Sequence, residues 1–191
     1  MSKTRLEAFS DAVIAIIITI MVLELQAPHG VALRDLAPLY PKFLSYVLSY
    51  VYLGIYWNNH HHMLHAAQRV TGGVLWANLH LLFWLSLVPF TTAWMGENHF
   101  ASQPTALYGF VLLMAAQSYL LLQRAILKSD GPGSPLARAV GSDRKGLVSR
   151  LAYLISIPTA FVAPAVSALV FVAIAIIWFV PDRRVERALE S

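Results

Sequence analysis

Charged side chains lie at the start of the first long apolar stretch of the chain, where removing them from water costs free energy. The segment RLEAFSDAVIAIIITIMVLEL, residues 5–25, begins with Arg5, Glu7 and Asp11. Ionisable groups inside an apolar span usually face protein or water, and they often mark a functional site. Arg5 and Asp11 are six residues apart and fall on different faces of a helix. We therefore expect Asp11 to bond to neighbouring helices or to Arg5 of another chain.

A second group of chemically active side chains is the histidine run NNHHHMLH, residues 58–65. His61 and His65 are four residues apart, a spacing that allows two imidazoles on one helix face to share a zinc ion. The pattern lacks the glutamate of an H-E-x-x-H site, so it is weak support for a metal site. Hydrogen bonding of His60 or His61 to a neighbouring helix is the interpretation that we favour.

The composition indicates that lipid is the solvent of this protein. Of the 191 residues, 58% are hydrophobic and 13% are charged, whereas an ordinary soluble domain has about 25% charged residues. The chain has no cysteine, which excludes disulfides, thiolate metal sites and a cysteine nucleophile. The net charge of +4 is ascribed to orientation and lipid headgroup contact, and no nucleic-acid partner is expected.

Six apolar stretches have roughly the 20 residues that a helix needs to cross a bilayer. They lie at residues 6–26, 43–63, 72–95, 105–125, 147–163 and 165–181. Pro158 and Pro164 interrupt the last apolar region, which is too long for one crossing, so a reversal is predicted near Ala163 and Pro164. The polar segment 128–146 is predicted to be a mobile cytoplasmic loop. The sequence thus predicts one all-α, polytopic membrane domain over residues 1–191, with six transmembrane helices.

Basic residues gather in the connections on one side of these spans. Twelve of the 14 Lys and Arg residues fall there: Lys3, Arg5, Arg69, Arg124, Lys128, Arg138, Arg144, Lys145, Arg150, Arg183, Arg184 and Arg187. Only Arg34 and Lys42 fall on the other side. Because cytoplasmic loops carry the excess of basic residues, both termini are predicted to be cytoplasmic. We expect a multi-pass protein of the plasma or inner membrane.

The apolar part of the first span also has a face of its own. Ile16, Ile20 and Leu23 stand at positions i, i+4 and i+7, and Thr19 lies beside them. In lipid every face of a helix is apolar, so the stripe by itself indicates ordinary packing.

The start of the first span carries a more specific pattern. RLEAFSD places Arg5, Phe9, Ser10 and Asp11 in the arrangement R-x-x-x-F-S-D. This motif resembles the signature of the lysosomal potassium channel family called transmembrane protein 175 and its bacterial relatives. AVIAIIITIMVLEL after it, YWNNHH in the second span, and LWANL and LVPFTTAWMGE in the third also fit. The specific likeness covers the first half of the chain.

The resemblance implies a passive cation channel that prefers potassium, and no enzymatic activity. Animal members carry two six-span repeats and pair as dimers. This chain has one repeat, so the same pore implies a homotetramer with the first helix of each subunit lining a central pore. Potassium would be the permeant ion, and no cofactor is expected. The expected partners are further copies of the chain, membrane lipids and monovalent cations.

Residue by residue, the resemblance places the narrowest point of the pore at Ile16. Ile20 and Leu23 would extend this apolar constriction, and Thr19 would offer hydroxyl oxygens close by. The Thr19 hydroxyl could instead bond to the carbonyl one turn earlier, as is common in membrane helices. Since no loop of the T-V-G-Y-G type exists, a narrow isoleucine ring that stays dry would act as the gate.

The charged and polar part of the signature would position this helix rather than bind ions. The resemblance implies that Arg5, Phe9, Ser10 and Asp11 belong to a network that holds the first span against the second and third. The partners that we expect in those spans are His60, His61, Asn78 and His80.

Two other classes of function stay open from the residues alone. A proton-coupled transporter could use Asp11 and the cluster His60, His61, His62 and His65 as a relay. A membrane-embedded metallohydrolase could use His61 and His65 to hold zinc. No phosphate loop, nucleophile elbow or pair of intramembrane carboxylates supports an enzyme.

Overall fold

The protein is built from helices. The computed structural model describes residues 2–140 and 143–179, and the regular structure in these ranges is helical throughout. The α-helices are α1 (Lys3–Met21), α2 (Tyr40–Ala66), α3 (Gly72–Ser86), α4 (Val88–Glu97), α5 (Ser102–Asp130), α6 (Pro135–Val140), α7 (Arg144–Val162) and α8 (Pro164–Phe179). Two 3₁₀ helices, Val22–Glu24 and Leu33–Leu39, lie between α1 and α2. The predicted all-α class is confirmed.

Helices α3 and α4 form one apolar stretch with a break at Leu87. Pro89 follows two residues later, and it lacks the N–H that would bond to the carbonyl of Leu85. Leu87 nevertheless stays close to helical geometry, with φ −86° and ψ −11°. The stretch Gly72–Glu97 is therefore a kinked rod, long and apolar enough to cross a membrane.

Helices α7 and α8 form an antiparallel pair. The chain leaves the helical conformation at Ala163, with φ −148° and ψ 76°, and α8 begins at Pro164. The indole N–H of Trp178 donates to Ser149 Oγ at 2.8 Å, and Ser167 Oγ donates to the Ser156 carbonyl at 2.8 Å. The first bond pairs the end of α8 with the start of α7, and the second pairs the start of α8 with the second half of α7, so the chain reverses between the two helices.

Apolar length alone identifies only part of the bundle. Within residues 2–140 and 143–179, three helical stretches are long and apolar enough to cross a membrane, namely Lys3–Glu24, Gly72–Glu97 and Ser102–Asp130. Helix α2 has 27 residues, and at ~1.5 Å per residue it is long enough as well. It is less apolar because it carries serine, tyrosine and histidine side chains that face the interior of the bundle, such as Ser49, Tyr52 and His60.

Side-chain contacts join the connections at each end of the bundle. At one end, Lys3 Nζ donates to the carbonyl of His65, and both Asp130 carboxylate oxygens accept backbone N–H groups, from Gln68 at 2.8 Å and Arg69 at 3.0 Å. The start of α1, the α2–α3 connection and the end of α5 therefore lie together.

The opposite end is joined by an ion pair. Lys42 Nζ lies 2.8 Å from Glu97 Oε1 and links the start of α2 to the end of α4. The exposed position of the Glu97 side chain keeps the energetic value of this pair small.

The segment 128–146, predicted as a loop, is partly helical. Helix α5 continues to Asp130, and α6 follows after Gly131, which takes the positive φ of 88°. Leu136 of α6 is buried against the bundle, so an apolar contact fixes this segment locally. Residues 141–142 and the last two residues of the predicted span 165–181 lie outside the described residues, as do Arg183, Arg184 and Arg187.

Helices α2 and α4 approach most closely at Gly96. A Cβ atom there would lie 2.8 Å from Lys42 Cα and 2.4 Å from Ser45 Oγ. Backbone atoms cannot move aside as a flexible side chain can, so this crossing needs a residue without a side chain.

We expect Gly96→Ala to destabilise the protein by about 1–3 kcal/mol, because the added methyl group overpacks the α2–α4 contact. Gly54→Ala in α2 is the matched control, since a Cβ there meets no atom within 4 Å. That change should be neutral or stabilising by about 0.5–1 kcal/mol, because alanine favours the helix. Thermal unfolding in detergent measures both, and equal melting temperatures would contradict the close approach.

Candidate functional site

Helix α1 has one face packed into the bundle. Its buried residues recur every three or four positions, as one helical stripe: Leu6, Ser10, Ile14, Ile17 and Met21. This stripe contacts α2, α3 and α4. Four of its five members are apolar, so most of the contact between α1 and the bundle is aliphatic packing.

A second face of α1 is exposed in the single chain. Ile16 is 56% exposed and Ile20 42%, and Leu23, in the 3₁₀ helix that follows α1, is 74% exposed. Ile16 and Ile20 share one face because a step of four residues returns to the same side of a helix. The described part of the chain leaves all three sequence-predicted constriction residues uncovered.

An open apolar groove runs beside this face. It has a volume of about 490 Å³ and lies between α1 and the α3–α4 rod. Ile16 and Ile20 form one wall, and Pro89, Phe90 and Ala93 form the other. The exposed face of α1 is thus continuous with an apolar concave surface of the same chain.

A directed chain of buried hydrogen bonds ties α1 to α3 and α2. His60 Nε2 lies 2.7 Å from Asn78 Oδ1, Asn78 Nδ2 donates to Ser10 Oγ at 2.9 Å, and Ser10 Oγ donates to the Leu6 carbonyl at 2.9 Å. Because Asn78 Oδ1 can only accept, the proton in the first bond belongs to His60 Nε2. His60, Asn78 and Ser10 are all buried.

Asp11 is held by a different residue of α2. The indole N–H of Trp57 donates to Asp11 Oδ1 at 3.0 Å. The sequence predicts a partner for Asp11 on a neighbouring helix, but Trp57 is not among the partners expected there, which are His60, His61, Asn78 and His80. Trp57 lies three residues before His60 in YWNNHH, and positions i and i+3 lie on one side of a helix. This spacing could have indicated that Trp57 also faces α1.

The structure does not bring every residue of the predicted network together. Arg5 and Phe9 are exposed, and steps of 11 and 7 residues place them on the same side of α1 as Ile16. His61 is exposed and stacks between Trp57 and His65, with ring centroids 6.1 and 6.2 Å away. Helix periodicity is the reason, since Ser10 and its partners are on another face.

His80 also lies outside this hydrogen-bonded chain. Its Nε2 accepts the indole N–H of Trp84 at 3.2 Å, one turn along α3. The neutral tautomer consistent with that bond carries its proton on Nδ1, which is buried without a partner among the described residues. His80 and Asn78 are two positions apart on α3, so they point to different sides.

The predicted metal pair gains no third ligand in the structure. His61 and His65 have nearly parallel rings, 12° apart. Within residues 2–140 and 143–179, no group of three or more His, Asp or Glu side chains is placed to hold a metal ion. Metal binding by this pair stays a prediction.

Thr19 makes the local bond that membrane helices favour. Its hydroxyl donates to the Ile16 carbonyl at 2.9 Å, and the side chain is exposed. The hydroxyl oxygen keeps its lone pairs in this arrangement, so it can still accept a hydrogen bond or face a cation.

A second buried network, which the sequence analysis missed, joins α2, α4 and α5. Thr92 Oγ1 donates its single proton to the Val88 carbonyl at 2.7 Å. Ser49 must therefore donate to Thr92 across 2.6 Å, and Tyr108 must donate to Ser49 across 2.9 Å. Each hydroxyl proton has one acceptor, as buried groups in lipid require.

Comparisons with known proteins give matches over the first half of the chain and over its full length. The family model described as endosomal/lysosomal potassium channel TMEM175 matches residues 5–89. A potassium channel of Chryseobacterium sp. (strain P1-3) is 48% identical over 191 residues, covering 100% of both chains. A potassium channel of Streptomyces collinus is 32% identical over 126 residues, covering 62% of this chain and 61% of the relative.

A solved structure has the same fold. The crystal structure of a lysosomal potassium-selective channel TMEM175 homolog from Chamaesiphon minutus superposes with a TM-score of 0.81 at 25% identity. The match covers 94% of this chain and 97% of that one.

We expect Asn78→Ala to lower stability by about 1–3 kcal/mol, because it leaves His60 and Ser10 buried without their shared partner. Asn98→Ala is the control, since the exposed Asn98 side chain donates to the nearby Trp94 carbonyl and joins no other helix within the described residues. The control should stay within about 0.5 kcal/mol of the parent protein. Melting temperatures in one detergent compare the two variants, and a loss of equal size in both would show that the chain of bonds contributes nothing particular.

Proposed function

Because this chain belongs to the TMEM175 family of potassium channels, we propose that it is itself a potassium-selective channel that conducts passively. The relatives and the solved structure are all named as channels. These names confirm the expectation that the chain is not an enzyme. They also favour a channel over the proton-coupled transporter and the metallohydrolase that the residues alone left open.

The main support for the proposal is that the two faces of α1 have different surroundings. The face with Ser10 is fixed by buried hydrogen bonds, while the face with Ile16 is left open. One chain supplies one α1, which cannot enclose a channel. Several copies of α1 around a shared axis would cover this face, and one proposed unit of six spans per chain fits a homotetramer.

The topology that we propose has six spans, with α3 and α4 counted as one, and both termini in the cytoplasm. Contacts of Lys3 with His65 and of Asp130 with Gln68 and Arg69 support this topology, because they gather the basic connections at one end. An excess of Lys and Arg marks the cytoplasmic side.

In the proposed pore, Ile16 side chains from the four subunits form the narrowest ring. Ile20 and Leu23 continue the apolar lining toward the outside. A narrow apolar ring is easily dewetted, and an ion that enters must lose hydration without replacement ligands, so a small dilation is enough to open or close it. Thr19 hydroxyl oxygens near the ring are the polar groups that we assign to ion contact.

The polar contacts of α1 would then set which side chains form the ring. Successive residues of a helix are ~100° apart, so a rotation of α1 by one position replaces Ile16 with a neighbour. Such a rotation would break the Ser10–Asn78 and Asp11–Trp57 bonds. We assign these two contacts the role of a rotational lock, and Arg5 a place at the cytoplasmic end of the pore-facing side.

One experiment tests both assembly and activity. The protein is purified in detergent, its mass is measured, and it is reconstituted into liposomes loaded with potassium or sodium. We expect four copies per particle and a flux that is larger for potassium. A monomer, or equal flux for both ions, would contradict the proposal.

We expect Ile16→Asn to raise potassium conductance at least about twofold and to reduce the preference for potassium, because a polar ring stays wet. Ile155→Asn is the matched control, since Ile155 is similarly exposed at 64% but lies on α7, which the proposal does not place at the pore. Single-channel recording in a planar bilayer measures both variants. Unchanged currents in Ile16→Asn would remove Ile16 from the gate.

A further inference from the structure

A pocket away from the face of α1 opens between α2, α5, α7 and α8. Its cavity volume is about 50 Å³, which is room for a small group of a few non-hydrogen atoms. Ile55, Ala116 and the rings of Tyr56, Tyr119 and Trp178 are in its walls. Most of the wall is aromatic or aliphatic, so the space suits carbon better than water.

The Arg150 side chain lies in the wall of this pocket and has N–H donors that make no hydrogen bond to the described residues. Arg150 donates through Nη1 to Asp143 Oδ2 at 3.1 Å. The guanidinium group has five N–H donors, and within the described residues it makes this one hydrogen bond. The other oxygen of Asp143 already accepts the Gly146 N–H at 3.0 Å. Arg150, with 17% of its side chain exposed, therefore has N–H donors left for an acceptor in the pocket.

Tyr56 adds a second donor to the same pocket. The residue is only 9% exposed and lies in the pocket wall. In residues 2–140 and 143–179 its hydroxyl has no hydrogen-bond partner, although its ring packs edge-on against Tyr119 at 6.3 Å. The hydroxyl is therefore available to donate into the pocket, and Tyr56 and Arg150 together offer donors to an acceptor from outside the described chain.

The depth of the pocket in the bilayer is indicated by Trp178. This indole lies in the pocket wall, and Lys145 Nζ lies 6.0 Å from the centre of its ring. Tryptophan is enriched at the level of lipid headgroups, and lysine reaches the same level. The segment from Asp143 to Arg150 holds three basic residues and one acidic residue, so its net charge attracts anions.

We propose that this pocket binds the phosphate group of a membrane phospholipid, with Arg150 and Tyr56 as donors and the aromatic walls around the adjoining glycerol and acyl carbons. Arginine matches phosphate because its planar fork can donate two parallel bonds to two oxygens. A free phosphate ion offers the same oxygens but would leave most of the apolar wall without contacts. The lipid is therefore the source that the pocket favours, and this site is independent of the proposed pore.

Lipid binding to the intact, delipidated protein tests the site. Native mass spectrometry would count phosphatidylglycerol molecules bound during a titration. We expect Arg150→Gln to weaken binding about tenfold or more, and Tyr56→Phe about fivefold, which correspond to a charge-assisted and an ordinary hydrogen bond. The matched controls are Arg124→Gln, an exposed arginine of α5, and Tyr50→Phe, an exposed tyrosine of α2. Both controls should bind as the parent protein does.

The comparison among these variants decides the proposal. Selective loss in Arg150→Gln and Tyr56→Phe supports it, and Tyr56→Phe keeps the test valid if Arg150→Gln does not fold. Binding in Tyr56→Phe and in any folded Arg150→Gln that equals the controls overturns it. A parallel titration with inorganic phosphate, read by thermal shift, separates the two sources. Stabilisation by phosphate that depends on Arg150, without lipid binding, would overturn the assignment to a lipid.

Discussion

The rotation of α1 about its own axis is fixed by polar contacts, and the other properties that we derive for the site depend on that rotation. In lipid, an apolar side chain has no strong preference between a neighbouring helix and an acyl chain. Ser10, Asn78 and His60 have no such freedom, because no water is present to replace a lost partner. Three consecutive hydrogen bonds and the Trp57–Asp11 contact therefore distinguish one orientation of α1 from the others that apolar packing alone would allow.

The same constraint explains where the polar side chains of α2 lie. Its hydroxyl and imidazole groups are directed inward, where other helices supply partners. Ser49 bonds to α4 and α5, and the Tyr52 hydroxyl donates to the Phe171 carbonyl of α8 at 2.6 Å. A helix that bonds to several neighbours at once organises the bundle through specific contacts, whereas the polar side-chain bonds of α8, from Ser167 and Trp178, both go to α7.

The signature at the start of α1 divides into two sets of residues with different surroundings. Ser10 and Asp11 bond to other helices of the same chain, while Arg5 and Phe9 lie on the exposed side with Ile16. A motif that is contiguous in sequence is therefore distributed around the helix. We interpret the exposed members as contacts for another subunit or for the pore mouth, which joins subunit assembly and helix orientation in one short segment.

Composition and periodicity were sufficient for the all-helical class and the membrane environment, because a bilayer imposes length and apolarity on each element and both are local properties. The family that the motifs of the first half of the chain predicted was also correct, and Ser10, His60 and Asn78 were selected from these motifs. Which partners meet depended on the tertiary structure. Only the packing of α1 against α2 and α3 placed Asn78 between His60 and Ser10. The same packing brought Trp57 to Asp11 as its hydrogen-bond donor. Four predicted members of the network do not join these hydrogen bonds: Arg5, Phe9, His61 and His80. The Arg150 pocket also arises from four helices that are distant in sequence, so no local pattern could have indicated it. Local periodicity tells which side of a helix a residue occupies, but the neighbour on that side is set by how the whole bundle satisfies its buried polar groups.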